Sequence, residues 1–309
     1  MFKQIKIISI IIVVLLVISA IGSWYSHNRQ EKEGQILNVS KLNDTTKFEN
    51  ARFISLPSKL DFAGETMPLS NSDVRERMDR EIHINTYWHT NTILMIKRAN
   101  RWLPEISAEL AKEGIPDDFK YLVAIETNFK NDTSPRNAVG FWQFLKASGK
   151  EQGLQITDEV DERYDPVKST KAAAKYLKNA YNKFGSWTLA AASYNRGVAG
   201  MQRAMEHQKE LNYYNLLLNE ETSRYIFRIV AAKLILESPT DYGFKVHPSE
   251  LYQPFETYEI EVTKPIPSLV DWAQENSISY LQLKRHNPWL RADKLTILEG
   301  KKYIIKLPK

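Results

Sequence analysis

The sequence predicts a mainly α-helical domain over residues 71–240 and a small α+β module behind it, over residues 257–309. In the first region, apolar side chains recur at helical spacing and little strand signal is present. Three prolines and a glycine between Ser238 and Glu256 indicate a linker over residues 241–256. Beyond it, YEIEV (258–262) and YIIKL (303–307) alternate like strands and enclose two short helical segments, residues 269–275 and 280–285.

Local signals predict several helix boundaries. Ser72 and Asp73 are candidate N-caps of the first helix. The segment Trp102-Leu103-Pro104 predicts that a new helix begins with proline at its favoured first position, and Gly114 is expected to end it. Further helices are expected to start at Asp165-Pro166, Trp187 and Glu220.

Composition excludes several classes of protein. At 309 residues and 43% hydrophobic content, the chain can form one large domain or two smaller ones. Its 42 basic and 37 acidic residues differ by +5, and Lys and Glu are interleaved, so nucleic acid is not an expected partner. The absence of cysteine excludes disulfides, thiol nucleophiles and cysteine-bound metals.

Neither a metal nor a cofactor is expected. The six histidines are scattered, and His83 and His89 are six positions apart, which does not place a metal-binding pair on one helix face. The sequence contains no glycine-rich phosphate loop and no Gly-x-Ser-x-Gly motif.

The N-terminus predicts export. Lys3 and Lys6 precede an apolar run from Ile7 that continues to Trp24, so residues 1–24 form a signal peptide or a signal anchor. The run approaches the length that spans a bilayer, which favours an uncleaved anchor, although Ala20-Ile21-Gly22 resembles a weak cleavage site. The preceding positive charges place the remaining chain outside the cytoplasm. Residues 25–70 are expected to be a linker or irregular arm.

Glu126 is the main candidate for chemistry. Pro116 is expected to open a helix on which Phe119, Leu122, Val123 and Glu126 share one face, so that a carboxyl group joins three apolar side chains. The helix ends soon afterwards, and both burial and the negative end of the helix dipole raise a carboxyl pKa. A carboxyl group that stays protonated near neutral pH can act as a general acid. The alternative is a surface residue at a frayed helix end, or a buried partner of an arginine.

Five short motifs occur in order around this residue. They are Glu126-Thr127-Asn128-Phe129, Gly140–Phe144 (GFWQF), Asp161–Arg163 with Asp165-Pro166, Ser193-Tyr194-Asn195, and Glu221-Thr222 with Tyr225. Over about residues 80–240 they resemble the soluble lytic transglycosylase family, and most closely its membrane-bound branch, whose fold is similar to goose-type lysozyme. The chain departs from the family at Thr127, where serine is usual, and at Ser193, where alanine is usual.

The resemblance implies cleavage of the β-1,4 bond between N-acetylmuramic acid and N-acetylglucosamine in peptidoglycan. Glu126 would be the single catalytic acid/base, and the 6-hydroxyl of the substrate would close a 1,6-anhydro ring in place of an enzyme nucleophile. Predicted substrate-binding residues are Thr127, Gln143, Phe144, Tyr194, Asn195 and Tyr225.

Each of these residues has an implied role. Tyr225 and Thr127 would orient the carboxyl group and shift its pKa. The polar side chains of Gln143, Tyr194 and Asn195 would hold sugar hydroxyls and acetamides. Phe144, together with Trp142, would line the groove. For all of them the alternative is core packing or capping.

No second carboxylate has a comparable position in the sequence. Asp117 and Asp118 lie at the far end of the helix that carries Glu126, and Asp132 lies in a polar loop. Asp161, Glu162 and Asp165 are interpreted as caps and surface charges. One carboxyl group is sufficient for an intramolecular attack by the substrate, whereas glycosidases commonly use two.

The C-terminal β-α-α-β segment resembles a LysM domain, a module that binds glycan chains containing N-acetylglucosamine. Leu283 with Asn287-Pro288 matches a typical segment of that domain. The usual Gly-Asp-Thr is absent, and residues 263–267 (TKPIP) stand in its place. The module therefore either binds glycan or serves only as a packing unit.

Together, these features predict an exported, membrane-anchored enzyme of the cell envelope, facing the periplasm or cell wall. Its expected partners are the glycan strands of peptidoglycan and the membrane that holds its N-terminal helix. Two alternatives stay open: a muramidase that adds water instead of closing the ring, and a non-catalytic peptidoglycan-binding scaffold.

Overall fold

Ten α-helices, four short strands and several 3₁₀ turns make up the secondary structure of residues 53–309, the part of the chain that the computed structural model describes. The helices are α1 (Ser72–Tyr87), α2 (His89–Lys112), α3 (Leu122–Thr127), α4 (Lys146–Glu151), α5 (Pro166–Phe184), α6 (Trp187–Arg196), α7 (Val198–Gln208), α8 (Glu220–Glu237), α9 (Leu269–Glu275) and α10 (Tyr280–His286). The strands are β1 (Asp61–Phe62), β2 (Glu65–Thr66), β3 (Thr257–Val262) and β4 (Tyr303–Pro308).

The predicted N-terminal anchor, residues 1–24, lies outside the described residues, as does most of the predicted arm. Within residues 53–309, no helix has both the length and the apolar composition needed to cross a bilayer.

The helical body forms around α8, whose central residues Ile226, Phe227, Ile229 and Val230 are fully buried. This helix packs against α1 and α6, and α6 packs in turn against α5. Alanines on α5 and α6 are buried at the contact, and small side chains allow the two helices to approach closely. The predicted mainly α-helical class is confirmed.

Several local boundary predictions hold. The α5 helix begins at Pro166, and the Asp165 carboxylate caps it by accepting hydrogen bonds from the backbone N–H groups of Val167 and Lys168, at 2.9 and 3.0 Å. The α8 helix begins at Glu220 as expected. The first helix is capped by Asn71, whose side chain accepts from the Asp73 N–H, so the choice of Ser72 or Asp73 as its cap was wrong.

The predicted restart at Pro104 was also wrong, because α2 continues through the proline. Ile96 and Ala99 before the proline, and Ile106 and Leu110 after it, stay buried on one face. A proline in a helix interior costs about 3 kcal/mol, and the burial of this apolar face offsets that cost.

The end of the predicted arm packs into the body. Strands β1 and β2 form a tight antiparallel hairpin, with Phe62 facing Glu65 in the register. The Phe62 ring is fully buried and meets Phe119 edge to face at 5.1 Å. The predicted irregular arm therefore does not extend through residues 54–69, which contain this hairpin. Strands of two residues are too short to show an alternating pattern in the sequence, so the hairpin was not predicted.

The C-terminal module has the predicted β-α-α-β order. Strands β3 and β4 pair antiparallel from Thr257 opposite Pro308 to Val262 opposite Tyr303. Its core includes Leu269, Ala273, Leu283, Ile305 and Leu307, all fully buried.

The module is docked on the helical body. Val160, from the body, is buried among the apolar residues of the module. The Asp161 N–H donates to the Trp289 carbonyl at 2.9 Å, and the Arg291 N–H donates to the Glu159 carbonyl at 2.8 Å.

The segment predicted as a linker also packs on the body. Phe244 is buried in the core of the body, and the Tyr252 N–H donates to the Lys97 carbonyl of α2 at 3.1 Å. Residues 241–256 are therefore an ordered connection within the described chain.

Candidate active site

Glu126 lies on the last turn of the short helix α3. A 3₁₀ turn, Asp117–Tyr121, precedes α3, so the expected single helix is two consecutive short ones. Phe119, Leu122 and Val123 are fully buried, which anchors the shared face that the sequence predicts. Asn128 has a φ of 52°, and this left-handed residue ends the helix two positions after Glu126.

The half-buried Glu126 carboxyl group faces a cavity of about 830 Å³. The walls are α3, the loop after it, the junction between α1 and α2, and one face of α8. Residues of the wall that carry polar groups include Glu81, Asn85, Asn91, Glu126, Thr127, Asn128, Asp132, Gln143, Glu221, Arg224 and Arg228. The volume is within the range typical of ligand-binding clefts.

Burial raises the pKa of the Glu126 carboxyl group above its ordinary value, and the negative charge of Glu221 adds to this effect. The hydrogen bond from Tyr225 and the positive charge of Arg228 lower the pKa but do not cancel the rise. Arg228 is held close by a hydrogen bond of 2.8 Å from its Nη2 to the Ile125 carbonyl. Glu126 therefore keeps its proton to a higher pH than a solvated glutamate.

Tyr225 approaches Glu126 from α8. Its hydroxyl donates to Oε1 of Glu126 at 2.5 Å, and the ring is only 1% exposed. Burial and the nearby charge of Glu126 raise the pKa of the Tyr225 hydroxyl well above its ordinary value. It therefore stays protonated and acts as a fixed donor to the carboxyl group.

Tyr194 supports the site from behind. Its hydroxyl donates to the Trp142 carbonyl at 2.7 Å, and its side chain is absent from the cavity wall. Burial, and after it the charge of Glu126, raises the pKa of this hydroxyl well above its ordinary value. The hydroxyl predicted to hold a sugar is thus bonded to backbone.

Thr127 and Gln143 both line the cavity. The Thr127 hydroxyl donates to the carbonyls of Val123 and Phe141, at 3.3 and 3.4 Å, and not to Glu126. Gln143 has a φ of 49°, and its Nε2 donates to the carbonyls of Gly140 and Asp132 at 2.8 and 3.2 Å. The amide nitrogen of Gln143 therefore holds its own loop, which leaves the amide oxygen for a ligand.

Asn195 lies one layer behind the cavity wall. Its Nδ2 donates to Oε1 of Glu221 at 3.0 Å, and its Oδ1 accepts from the Thr222 hydroxyl at 2.7 Å. Both ends of the amide are engaged, so Asn195 holds Glu221 on the wall and does not face the cavity itself.

Phe144 and Trp142 are core residues, and this corrects their predicted place on the groove. Phe144 is 4% exposed and does not line the cavity. The centroid of its ring lies 6.0 Å from that of the Tyr194 ring. Trp142 is fully buried, and its indole N–H donates to the Thr170 hydroxyl at 2.8 Å. Aromatic side chains at these positions pack the loop that carries Gln143.

The loop is also held by a buried ion pair. Asp161 has its predicted role as a cap, because its side chain accepts a hydrogen bond from the Arg163 N–H, but it is buried and is not a surface charge. Arg163 Nη2 lies 2.7 Å from Asp161 Oδ2, and both side chains are almost fully buried. Arg163 Nη1 donates to the Phe144 carbonyl at 3.1 Å. A Cβ on Gly140 would lie 1.9 Å from the Arg163 carbonyl oxygen, so only glycine fits there.

Two charged groups on the wall have no signal in the sequence motifs. Glu81 of α1 is 1% exposed, and Arg224 of α8 donates to it through Nε and Nη2 at 2.6 and 3.2 Å. Arg224 and Arg228 are four positions apart on α8 and share the face of Glu221. That spacing was the only available signal for their place on the wall.

Within residues 53–309, no group of three or more histidine and acidic side chains could hold a metal ion.

Comparison with known proteins agrees with this architecture. Residues 104–217 match the model of the transglycosylase SLT domain. Residues 258–309 match that of the soluble lytic transglycosylase C-terminal LysM-like domain. The chain thus carries an SLT domain followed by a LysM-like domain, as its motifs predict.

Two curated relatives are both named membrane-bound lytic murein transglycosylase D, one from Escherichia coli strain K12 and one from Escherichia coli O6:H1. Each is 26% identical over 253 residues, which cover 79% of this chain and 54% of the relative. The chain therefore spans about half the length of the relatives it matches.

Proposed function

We propose that this protein is a lytic transglycosylase that cleaves the N-acetylmuramic acid–N-acetylglucosamine β-1,4 bond of peptidoglycan. The observation that carries the proposal is the Glu126 carboxyl group, which has a raised pKa, receives the Tyr225 hydrogen bond and faces the 830 Å³ cavity. The SLT domain and the names of the relatives support the same class of reaction.

In the first step, protonated Glu126 donates its proton to the glycosidic oxygen as the bond to C1 of the muramic acid residue breaks. The N-acetylglucosamine side leaves as an alcohol, and positive charge develops at C1. The Glu126 carboxylate formed in this step accepts the Tyr225 hydrogen bond and is offset by the charge of Arg228, which stabilise its ionised form.

In the second step, the carboxylate removes the proton from the 6-hydroxyl of the muramic acid residue as O6 bonds to C1. A 1,6-anhydro ring closes, Glu126 regains its proton, and no water is consumed. The nucleophile belongs to the substrate, so proximity replaces a second catalytic carboxylate.

We also propose that the enzyme acts in the cell envelope. The apolar N-terminal segment would anchor it in a membrane with the body facing the periplasm or cell wall. The LysM-like domain would contribute to holding glycan strands.

Muramidase activity is the main competitor, because Glu221 and Asp132 share the cavity wall with Glu126. Either carboxylate could activate a water molecule in place of the 6-hydroxyl. A non-catalytic scaffold would bind peptidoglycan without releasing products.

Digestion of purified peptidoglycan separates these functions. The full-length protein, in mild detergent, is compared with Glu126→Gln by mass spectrometry of the released muropeptides. We expect 1,6-anhydro ends from the wild type and none from the variant. Products one water heavier, with reducing ends, would identify a hydrolase, whereas binding without products from the wild type would identify a scaffold.

A further inference from the structure

Trp88 is a large apolar side chain on the cavity wall that is 61% exposed. Trp88 lies between α1 and α2. Its backbone N–H donates to the Ile84 carbonyl, and its backbone carbonyl accepts from the Thr92 N–H, both at 3.0 Å. The Thr92 hydroxyl also donates to the Asn85 carbonyl at 2.5 Å. Hydrogen bonds therefore hold the backbone at the junction, and the indole that it carries lines the cavity.

Exposure of an indole leaves a large apolar area in contact with water, which is unfavourable by about 25 cal/mol for each Å². Other tryptophans of the described chain, such as Trp142 and Trp289, are buried. A flat, rigid aromatic face on a cavity wall is suited to stack on the apolar face of a sugar ring.

Two asparagines on the cavity wall flank Trp88 in the sequence, three positions to each side. Asn85 Nδ2 donates to the Glu81 carbonyl at 2.8 Å, so its amide oxygen is the end that is left over. Asn91 Oδ1 accepts from Asn128 Nδ2 at 2.7 Å, so its amide nitrogen is left over. Among residues 53–309, neither of these remaining atoms has a hydrogen-bond partner.

The wall therefore offers one stacking face, one acceptor and one donor. An acetamide group carries the complementary pair, an N–H donor and a carbonyl acceptor. We propose that Trp88, Asn85 and Asn91 form a subsite for a 2-acetamido sugar of the glycan strand, separate from the residues that carry out the cleavage. The identity of the ligand rests on the proposed function, but the subsite lies outside residues 104–217, which match the SLT domain.

Binding of N-acetylglucosamine oligomers of two to six units tests this subsite. The full-length protein carries Glu126→Gln, so that bound sugar is not consumed, and affinity is measured by calorimetry. Adding Trp88→Ala should weaken binding of the longer oligomers about tenfold, which corresponds to about 1.4 kcal/mol. Trp88→Phe, which keeps an aromatic face, should weaken it less.

Leu211→Ala is the matched control, because Leu211 is also a highly exposed apolar residue and does not line this cavity. It should bind like the Glu126→Gln parent. Any binding by the LysM-like domain is common to all variants and cancels in the comparison.

The acetamide contact has its own test. Asn91→Asp keeps the acceptor for Asn128 and removes the free donor. It should weaken binding of the acetylated oligomers, but not of deacetylated glucosamine oligomers of the same length.

Equal affinity of the parent and the Trp88→Ala variant, or no binding by the parent, would overturn the subsite. Binding that depends on Trp88, in a wild-type protein that releases no products, would support the subsite and reject the transglycosylase activity.

Discussion

The Tyr225 hydroxyl and the Glu126 carboxyl group lie 2.5 Å apart and join α8 to α3 across 99 positions of the chain. This hydrogen bond opposes the effect of burial, because it stabilises the ionised form that burial disfavours. The pKa of the carboxyl group is therefore raised, but the group can still ionise. A residue that acts first as an acid and then as a base needs both properties.

Tyr225→Phe should slow glycan cleavage about tenfold to a hundredfold, since hydrogen bonds to charged groups contribute roughly 1.5–3 kcal/mol. Loss of the bond should also raise the pKa of Glu126 and move the corresponding limb of the pH–rate profile to higher pH. Tyr121→Phe is the control, because this buried tyrosine bonds to Glu237, which is absent from the cavity wall. An unmoved pH profile in Tyr225→Phe would contradict the assigned effect of the hydrogen bond.

Glu221→Gln should have the opposite effect on the pH profile. Glu221 raises the pKa of Glu126 through its negative charge, so its neutralisation should move the same limb to lower pH. Glutamine keeps an oxygen that can accept from Asn195, which preserves the local contact. Measurement of the release of 1,6-anhydro products against pH checks this. A loss of all activity at every pH would instead indicate that Glu221 takes part in the reaction.

Glu126→Gln should unfold less readily than the wild type at neutral pH. The folded protein binds the Glu126 proton at pH values where the unfolded chain has released it, so stability falls as pH rises through that interval. Glutamine at position 126 does not titrate, so the variant does not lose stability over this pH interval. Urea unfolding at pH 7 should show the difference, and the advantage should vanish near pH 3, below the ordinary glutamate pKa of about 4.3, where the glutamate is protonated in both states. A difference that stays constant with pH would rule out this origin.

The local parts of this structure follow from local signals. Asp165-Pro166 caps its own helix, and the alternation in β4 is visible in the sequence because Ile305 and Leu307 are buried on one face. In β3 the same alternation buries Val262 and partly buries Ile260. The half-buried position and raised pKa of Glu126 also follow from its spacing on one apolar helix face.

The cavity wall could not be predicted in the same way. The wall that Glu126 shares with Trp88, Glu81 and Arg224 forms only when α1 and α8 pack around α3. This packing depends on contacts between residues that are distant in the chain. Motif residues such as Phe144 and Asn195 turned out to support the site from behind, since a motif shows which residues recur together and not which of them face the ligand.

Gly140→Ala should cost about 3 kcal/mol or more of the free energy of unfolding. The added Cβ would lie 1.9 Å from the Arg163 carbonyl oxygen, and φ there is +80°. Gly64→Ala separates the two causes, because its φ is +79° and nothing lies within 4 Å of the added Cβ. It should cost only about 1 kcal/mol, the price of a left-handed alanine. Equal losses in chemical denaturation would show that the Arg163 carbonyl moves aside at little cost.

Val160→Ala should destabilise the helical body and the LysM-like domain together. Val160 belongs to the body in sequence but is buried among Leu290, Leu295 and other apolar residues of the module. Removal of two buried methyl groups should cost about 1–2 kcal/mol. Val270→Ala on α9, where the side chain is partly exposed, is the control and should cost less. Calorimetry should show one unfolding transition for the wild type, and its midpoint should fall in Val160→Ala. Two separate transitions in the wild type would mean that the docked module contributes little to the stability of the body, and that the contacts of Val160, Glu159 and Asp161 only orient it.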